Sequence, residues 1–124
     1  MYELSVQSEF AAAHFLRDYH GKCENLHGHN WRVEVVLEGE GTNQLGMLAD
    51  FKAVRALLAE VLDEFDHRYL NELPRFRDAN PTTENVARII CEELAPRLSG
   101  LGGGIGVRSV TAWESEKCGA TYRP

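Results

Sequence analysis

The chain has 124 residues and a formal net charge of -6, and its length fits one domain over residues 1–124. Nucleic acid and anionic membranes attract basic surfaces, so neither is an expected partner of an acidic chain. The sequence has no basic segment leading into an apolar run at its start and no apolar run long enough to span a bilayer, which predicts a cytoplasmic protein.

Alternating apolar and polar side chains predict two strands in the first forty residues. The first covers residues 2–14 and has His14 at the end of its apolar face. The second runs from about His27 to Glu40, and its apolar residues share parity with His27 and His29. In one antiparallel sheet the three imidazoles can converge on one face, although this depends on the register, which the sequence leaves open.

Two helices and two more strands are expected in the rest of the chain. The predictions are a helix over residues 51–66 with Asp50 as N-cap, a second helix capped by Thr82 or Thr83, a strand over residues 105–114 and a short last strand ending near Arg123. The order ββααββ lacks alternation of strand and helix, which favours an α+β fold with an antiparallel sheet and two helices on one face.

Histidine spacing suggests a metal site. A single His-x-His pair is a weak signal, because many histidines are ordinary core or surface residues. With His14 added to His27 and His29, three imidazoles without a fourth protein ligand would form an open zinc site of the catalytic kind.

Four more residues are candidates for a chemical role, and each also has a plainer structural explanation. Cys23 is either a small buried residue or a thiol made reactive by a nearby cation, and three cysteines without Cys-x-x-Cys spacing suit a reducing compartment. Asp66 and His67 could be a charged helix end; as helix neighbours they would not face each other, so His67 would need another partner, such as Cys23. Glu114 is either surface or a carboxylate that accepts two hydrogen bonds from an amidine-like edge.

Taken together, these motifs resemble the 6-pyruvoyltetrahydropterin synthase family, and most closely its queuosine-pathway branch. The resemblance covers nearly the whole chain and is carried by Phe10-Ala-Ala-Ala-His14, Cys23-x-x-x-His27-Gly-His29, Gly46-Met-Leu-Ala-Asp50-Phe51, Asp66-His67-x-x-Leu70-Asn71, Asn80-Pro-Thr-Thr-Glu84-Asn85 and Glu114 before Tyr122-Arg123.

The resemblance implies a tunnelling fold assembled as a homo-hexamer of two trimers, with active sites at subunit interfaces. It implies that His14, His27 and His29 bind Zn2+ and that Cys23 is the general base. Asp66 and His67 would be its relay partners, commonly from a neighbouring subunit. Glu114 would anchor the pterin ring, and Thr82, Thr83 and Glu84 would form the pocket around it.

The implied reaction converts 7,8-dihydroneopterin triphosphate to 6-carboxy-5,6,7,8-tetrahydropterin, acetaldehyde and triphosphate. Cys23 is followed by Glu24, which resembles a group with the pattern Cys-Glu-x-x-His-Gly-His that also forms 6-hydroxymethyl-7,8-dihydropterin, so Glu24 is a further candidate at the substrate. Candidate cations for the triphosphate are Arg17, Lys22, Lys52 and Lys117.

Two alternatives of other classes remain open. A zinc-hydroxide hydratase or hydrolase would use the same histidines without needing Cys23. A ring-forming interaction module would use zinc only to tie two strands together.

Overall fold

Five strands and two helices build the fold across residues 1–20 and 25–124, the part of the chain that the computed structural model describes. The strands are β1 (Tyr2–His14), β2 (His27–Gly39), β3 (Arg68–Tyr69), β4 (Gly106–Trp113) and β5 (Gly119–Tyr122), and the helices are α1 (Phe51–Leu62) and α2 (Thr83–Leu94). Short 3-10 turns lie at Leu70–Glu72, Pro74–Phe76 and Ala95–Leu101. The sheet order is β3-β1-β2-β4-β5.

The register of the long β1–β2 hairpin brings the three histidines together. In this antiparallel pair Phe10 lies opposite Trp31, Ala12 opposite His29, and His14 opposite His27. Directly opposed side chains of an antiparallel pair project from the same face of the sheet. The convergence that the sequence left dependent on register therefore occurs.

The sheet is mixed, which corrects the prediction of an antiparallel sheet. The four longer strands pair antiparallel, but the two-residue β3 pairs parallel to β1, with Arg68 opposite Ala12 and Tyr69 opposite Ala13. So short a strand carries no alternation that a sequence pattern could reveal.

Both helices begin at the predicted caps, but α1 ends early. Asp50 accepts the Lys52 N–H at 2.8 Å, and Thr82 accepts the Asn85 N–H at 3.2 Å. The first helix ends at Leu62 rather than at residue 66. Phe65 is buried in the turn that follows the helix. Its apolar side chain fits the helical spacing, and for this reason the sequence pattern predicted a longer helix.

The core lies between the helices and one face of the sheet. That face includes Val6, Phe10, Trp31, Val33 and Val35, all buried, and α1 and α2 pack against it, as expected. The other face is polar, with Ser5 and Gln7 both hydrogen-bonded to Glu34. In the described part of the chain, neither helix has the length and apolar character needed to traverse a bilayer.

Candidate metal centre

Four side chains converge at one end of the β1–β2 hairpin. The residues are His14, His27, His29 and Glu114, and one ligand atom from each lies within 4.8 Å of all the others. Glu114 Oε1 lies 2.7 Å from the Nε2 atom of His29, 3.0 Å from that of His14 and 3.6 Å from that of His27. The structure thus adds a carboxylate to the predicted histidines.

Backbone carbonyls orient two of the imidazoles. His14 Nδ1 lies 2.7 Å from the carbonyl oxygen of Pro81, and His27 Nδ1 lies 2.7 Å from that of Asn25. A neutral imidazole that donates from Nδ1 keeps an unprotonated Nε2, which is the form that binds a metal. No side-chain pattern could have revealed these two carbonyl contacts.

The charges of the cluster favour a cation. Burial lowers the pKa of His29, and the nearby Glu114 carboxylate opposes this effect. Burial alone would raise the pKa of Glu114, but the imidazoles of His29 and His14 hold it below its usual value, so the carboxylate is ionised. A carboxylate oxygen this close to imidazole nitrogens is stabilised by a positive charge between them, either a proton on an imidazole or a metal ion.

These donors fit a divalent metal such as zinc. His29 Nε2 is buried and makes no hydrogen bond of acceptable geometry within the described residues, although Glu114 Oε1 is 2.7 Å away. Imidazole nitrogens with a carboxylate oxygen form a donor set that zinc accepts. The metal would be held by the three Nε2 atoms, with the carboxylate beside them.

Trp31 forms the wall behind the histidines. Its indole is fully buried, stacks on Phe10 with ring centroids 5.8 Å apart, and meets His14 edge-on at 5.1 Å and His29 at 5.8 Å. These contacts restrict both imidazoles to one orientation. The shared parity of Trp31 with His27 and His29 was the sequence signal for this role.

Glu114 reaches the cluster because it follows the last residue of β4. Alternation places Trp113 on the polar face, where Arg32 stacks on it at 4.3 Å, so the next side chain points toward the histidines. The Glu114 N–H donates to the Cys118 carbonyl at 3.1 Å. Gly119 packs under the Trp113 ring so closely that a Cβ there would lie 2.5 Å from Trp113 Cδ1.

Asp66 and His67 form a pair, contrary to the expectation that they would not face each other. His67 Nδ1 lies 3.0 Å from Asp66 Oδ2. The expectation assumed helical geometry, but α1 has ended and His67 has a φ of 57°. Ala11 anchors the pair, donating its N–H to Asp66 Oδ1 at 2.9 Å and accepting the His67 N–H at 2.6 Å.

His67 lies at a groove that His29, one of the cluster residues, also lines. His67 is largely exposed, and residues 67–69, 11–13 and 28–30 line an open groove of about 570 Å³. The Ala11 hydrogen bond lowers the pKa of Asp66, and the contact with His67 adds to this effect. Neither residue contributes to the four-residue cluster of its own chain.

The predicted pocket segment lies beside Glu114. Thr83 Oγ1 is 3.5 Å from Glu114 Oε2, whereas Thr82 is used as the helix cap and Glu84 is exposed in the first turn of α2. Cys23, Glu24 and Lys22 lie outside the described residues.

A larger hollow of about 800 Å³ lies at the other end of β2, between residues 40–53 and 100–105.

Among the candidate cations, Arg17 is engaged elsewhere in the fold. Its guanidinium donates to the carbonyl oxygens of Phe76 and Arg77. Lys52 and Lys117 are exposed, in α1 and in the β4–β5 turn respectively.

The sheet, the two helices on one face and the histidine–carboxylate cluster define an α+β protein with a candidate metal centre. Residues 3–124 match the family described as 6-pyruvoyl tetrahydropterin synthase, and the chain belongs to that family.

Named relatives support this assignment. A protein of Archaeoglobus fulgidus, provisionally named 6-carboxy-5,6,7,8-tetrahydropterin synthase, is 36% identical over 97% of this chain and 94% of its own. A dihydroneopterin monophosphate aldolase of Pyrococcus furiosus is 34% identical over 91% of this chain and 90% of its own. The structure of the Caenorhabditis elegans 6-pyruvoyl tetrahydropterin synthase superposes with a TM-score of 0.85 at 30% identity, covering 99% of this chain and 95% of that one.

The family resemblance and the tunnelling fold are therefore confirmed. The prediction that the chain is an enzyme of this lyase family is confirmed as well. This outcome favours an enzyme over an interaction module.

Proposed function

We propose that the protein is a zinc-dependent lyase that converts 7,8-dihydroneopterin triphosphate and water to 6-carboxy-5,6,7,8-tetrahydropterin, acetaldehyde and triphosphate. The observation that carries this proposal is the convergence of His14, His27 and His29 with Glu114, in a chain 36% identical to a protein provisionally named for the tetrahydropterin product. The branch named for that product belongs to the queuosine pathway, which we propose for this chain as well.

The proposed reaction balances without an outside oxidant. The bond between the first and second side-chain carbons breaks, the first carbon becomes the carboxylate, and the other two leave as acetaldehyde. The side-chain carbons lose two electrons in total and the pterin ring gains two. Triphosphate leaves from the third carbon, and water supplies the additional oxygen.

The three histidines would hold zinc through their Nε2 atoms. Zinc supplies Lewis acidity toward the side-chain oxygens of the substrate. His14 Nδ1, held at the Pro81 carbonyl, and His27 Nδ1, held at that of Asn25, keep the rings fixed while substrate exchanges. Cys23 is proposed to move the side-chain protons as a thiolate.

Asp66 and His67 are proposed to assist Cys23 from a neighbouring subunit. His67 is exposed and contributes no ligand atom to the metal cluster of its own chain, so its surface position suits contact with a second chain. The carboxylate of Asp66 would hold the His67 ring in one tautomer. A homo-hexamer made of two trimers in the cytoplasm is the assembly that we propose.

Glu114 is proposed to recognise the pyrimidine edge of the pterin. A carboxylate can accept two parallel hydrogen bonds from the N–H groups of that edge. Thr82, Thr83 and Glu84 are proposed to form the surrounding pocket, supported by the 3.5 Å contact of Thr83 with Glu114.

Product analysis tests this proposal. The zinc-loaded protein is incubated with 7,8-dihydroneopterin triphosphate under anaerobic conditions, and the pterins are separated by chromatography. We expect 6-carboxytetrahydropterin and acetaldehyde in equal amounts, with loss of both after chelation and return on adding zinc. Failure of the zinc-loaded protein to consume the substrate would exclude this function.

A second candidate is an aldolase-type cleavage to 6-hydroxymethyl-7,8-dihydropterin. It is favoured by the 34% identity to a protein named dihydroneopterin monophosphate aldolase and by Glu24 beside Cys23. Here the same carbon–carbon bond breaks without ring reduction, and the phosphorylated two-carbon aldehyde leaves intact. The same chromatography distinguishes the two reactions, because their pterin products differ.

A further inference from the structure

The most consequential contact in the metal cluster is that of Glu114. We propose that Glu114 is the fourth ligand of the metal in the resting protein, that it closes the centre, and that it must leave before another ligand binds. The identity of the displacing molecule, a pterin triphosphate, rests on the proposed function; the closed resting centre does not.

The position of one carboxylate oxygen carries this inference. A tetrahedral site with bonds of about 2.0–2.1 Å has ligand atoms roughly 3.3 Å apart. Glu114 Oε1 lies 2.7, 3.0 and 3.6 Å from the three Nε2 atoms, a spacing that brackets this value and fits a fourth ligand of the same ion. A water or substrate oxygen would need this same corner.

The second carboxylate oxygen shows where Glu114 can move. Glu114 Oε2 is 3.5 Å from the hydroxyl of Thr83, which lies in the first turn of α2. A hydroxyl donor and a helix N-terminus both stabilise a carboxylate. The main chain of Glu114 is held by its hydrogen bond to Cys118, so rotation of the side chain alone can exchange the metal corner for the Thr83 side.

A centre closed in this way differs from the open three-histidine site that the sequence predicts. With three imidazoles and one carboxylate bound, the metal has no exchangeable position, as in structural zinc sites. Small anions are then excluded until an incoming molecule offers its own oxygens and receives the carboxylate elsewhere. Glu114 would then both recognise the substrate and control access to the metal.

Cobalt(II) makes the fourth position visible in the substrate-free full-length protein. Each variant is loaded with Co2+, and azide is titrated while the visible absorption is recorded. We expect the parent protein to change little, and Glu114→Gln to bind azide at least tenfold more tightly. Competition with a chelator should show at least a tenfold loss of Co2+ affinity in Glu114→Gln.

Two further variants complete the test. Glu116→Gln removes a carboxylate from an exposed residue of the same turn and should match the parent in both measurements. Glu114→Asp keeps the charge but shortens the side chain by one methylene, so it should behave as Glu114→Gln does. If Glu114→Gln folds poorly, Glu114→Asp takes its place in both measurements. The proposal is overturned if parent and Glu114 variants bind azide equally and retain Co2+ equally.

These measurements involve no turnover, so the two proposals can fail separately. A closed Co2+ centre in a protein that does not consume the pterin would overturn the proposed function alone. An active enzyme whose resting metal already binds azide would overturn the closed centre alone.

Discussion

His14 and His27 are the last directly opposed pair of the β1–β2 hairpin, and their ring centroids lie 4.5 Å apart. A slip of one residue between these strands would turn one of the two rings to the opposite face. The thirteen-residue ladder below them, with its buried core face, therefore fixes the geometry of the candidate metal centre as well as the fold.

The histidine ligands give a prediction on metal content. The parent protein, purified without a metal-binding tag, should contain about one metal ion per chain by elemental analysis, as expected for one three-histidine site. His14→Ala, His27→Ala or His29→Ala should each lose most of it, because each change removes one of the three imidazoles and leaves only two with the Glu114 carboxylate. His20→Ala should keep it, since His20 is exposed outside the cluster. Full occupancy in any of the three ligand variants would remove that histidine from the set.

The buried Trp31 gives a prediction on spectroscopy. Its indole packs edge-on against the rings of two cluster histidines, His14 and His29, so a paramagnetic ion such as Co2+ bound by the cluster should quench its fluorescence. The chain has two tryptophans, and Trp113→Phe removes the other emitter, which stacks with Arg32 on the opposite face. In that variant most of the remaining emission should disappear at one equivalent of Co2+. Unchanged emission would mean that the ion binds elsewhere.

Asp66 gives a prediction on acid stability. Its folded pKa lies below the ordinary value of 3.8 because Ala11 N–H donates to the carboxylate, and His67 adds to this effect. The ionised side chain therefore stabilises the fold above about pH 4, and this contribution is lost as the pH falls through the lower folded pKa. Asp66→Asn keeps an acceptor for Ala11 but cannot ionise.

Urea unfolding from pH 7 to pH 3 tests this assignment. The stability difference between the parent and Asp66→Asn should be constant near neutral pH. It should shrink below about pH 4, where the carboxylate takes up its proton in the unfolded parent before it does so in the folded parent. Asp63→Asn, a change at an exposed aspartate at the end of α1, should show no such convergence. A difference between parent and Asp66→Asn that is independent of pH would assign the effect to packing.

Gly119 gives a prediction on the turn that carries Glu114. A methyl group at this position would lie 2.5 Å from Trp113 Cδ1 and 2.6 Å from Trp113 Nε1, so the indole that stacks with Arg32 must shift. Gly119→Ala should lower the free energy of unfolding by about 1–3 kcal/mol, as overpacking commonly does. Gly106→Ala in the same hairpin has open space around its Cβ and should cost less. Equal denaturant midpoints for the two variants would contradict the close packing.

Cys23 and Glu24 give a prediction on products. Adjacent side chains in an extended segment point to opposite sides, but a thiolate and a carboxylate brought near the same substrate could take different protons. Cys23→Ala should abolish 6-carboxytetrahydropterin while some 6-hydroxymethyl-7,8-dihydropterin still forms, and Glu24→Ala should do the reverse. Chromatography at equal zinc content measures both products. If Glu24→Ala matches the parent in products and rates, Glu24 has no part in the chemistry.

Much of the fold followed from local patterns. Alternation located β1 and β2, and the caps Asp50 and Thr82 located the helix starts, because each depends on neighbours within a few residues. The contact of Glu114 with residues about one hundred positions earlier depends on the β2–β4 register, including its irregularity at Val36 and Leu37, which has no local signature. His67 has a φ of 57°, where non-glycine residues are uncommon, so its pairing with Asp66 could not be expected from sequence.

Ala11 has a consequence for local opening of the protein. Its peptide group holds the Asp66–His67 pair by two hydrogen bonds, and His14 follows three residues later on the same strand. Fraying of β1 back to Ala11 would therefore release the pair and displace His14, a proposed metal ligand, in one event. The amides of Ala11 and His67 should accordingly exchange their hydrogens with solvent at a common rate, and a bound metal should slow both.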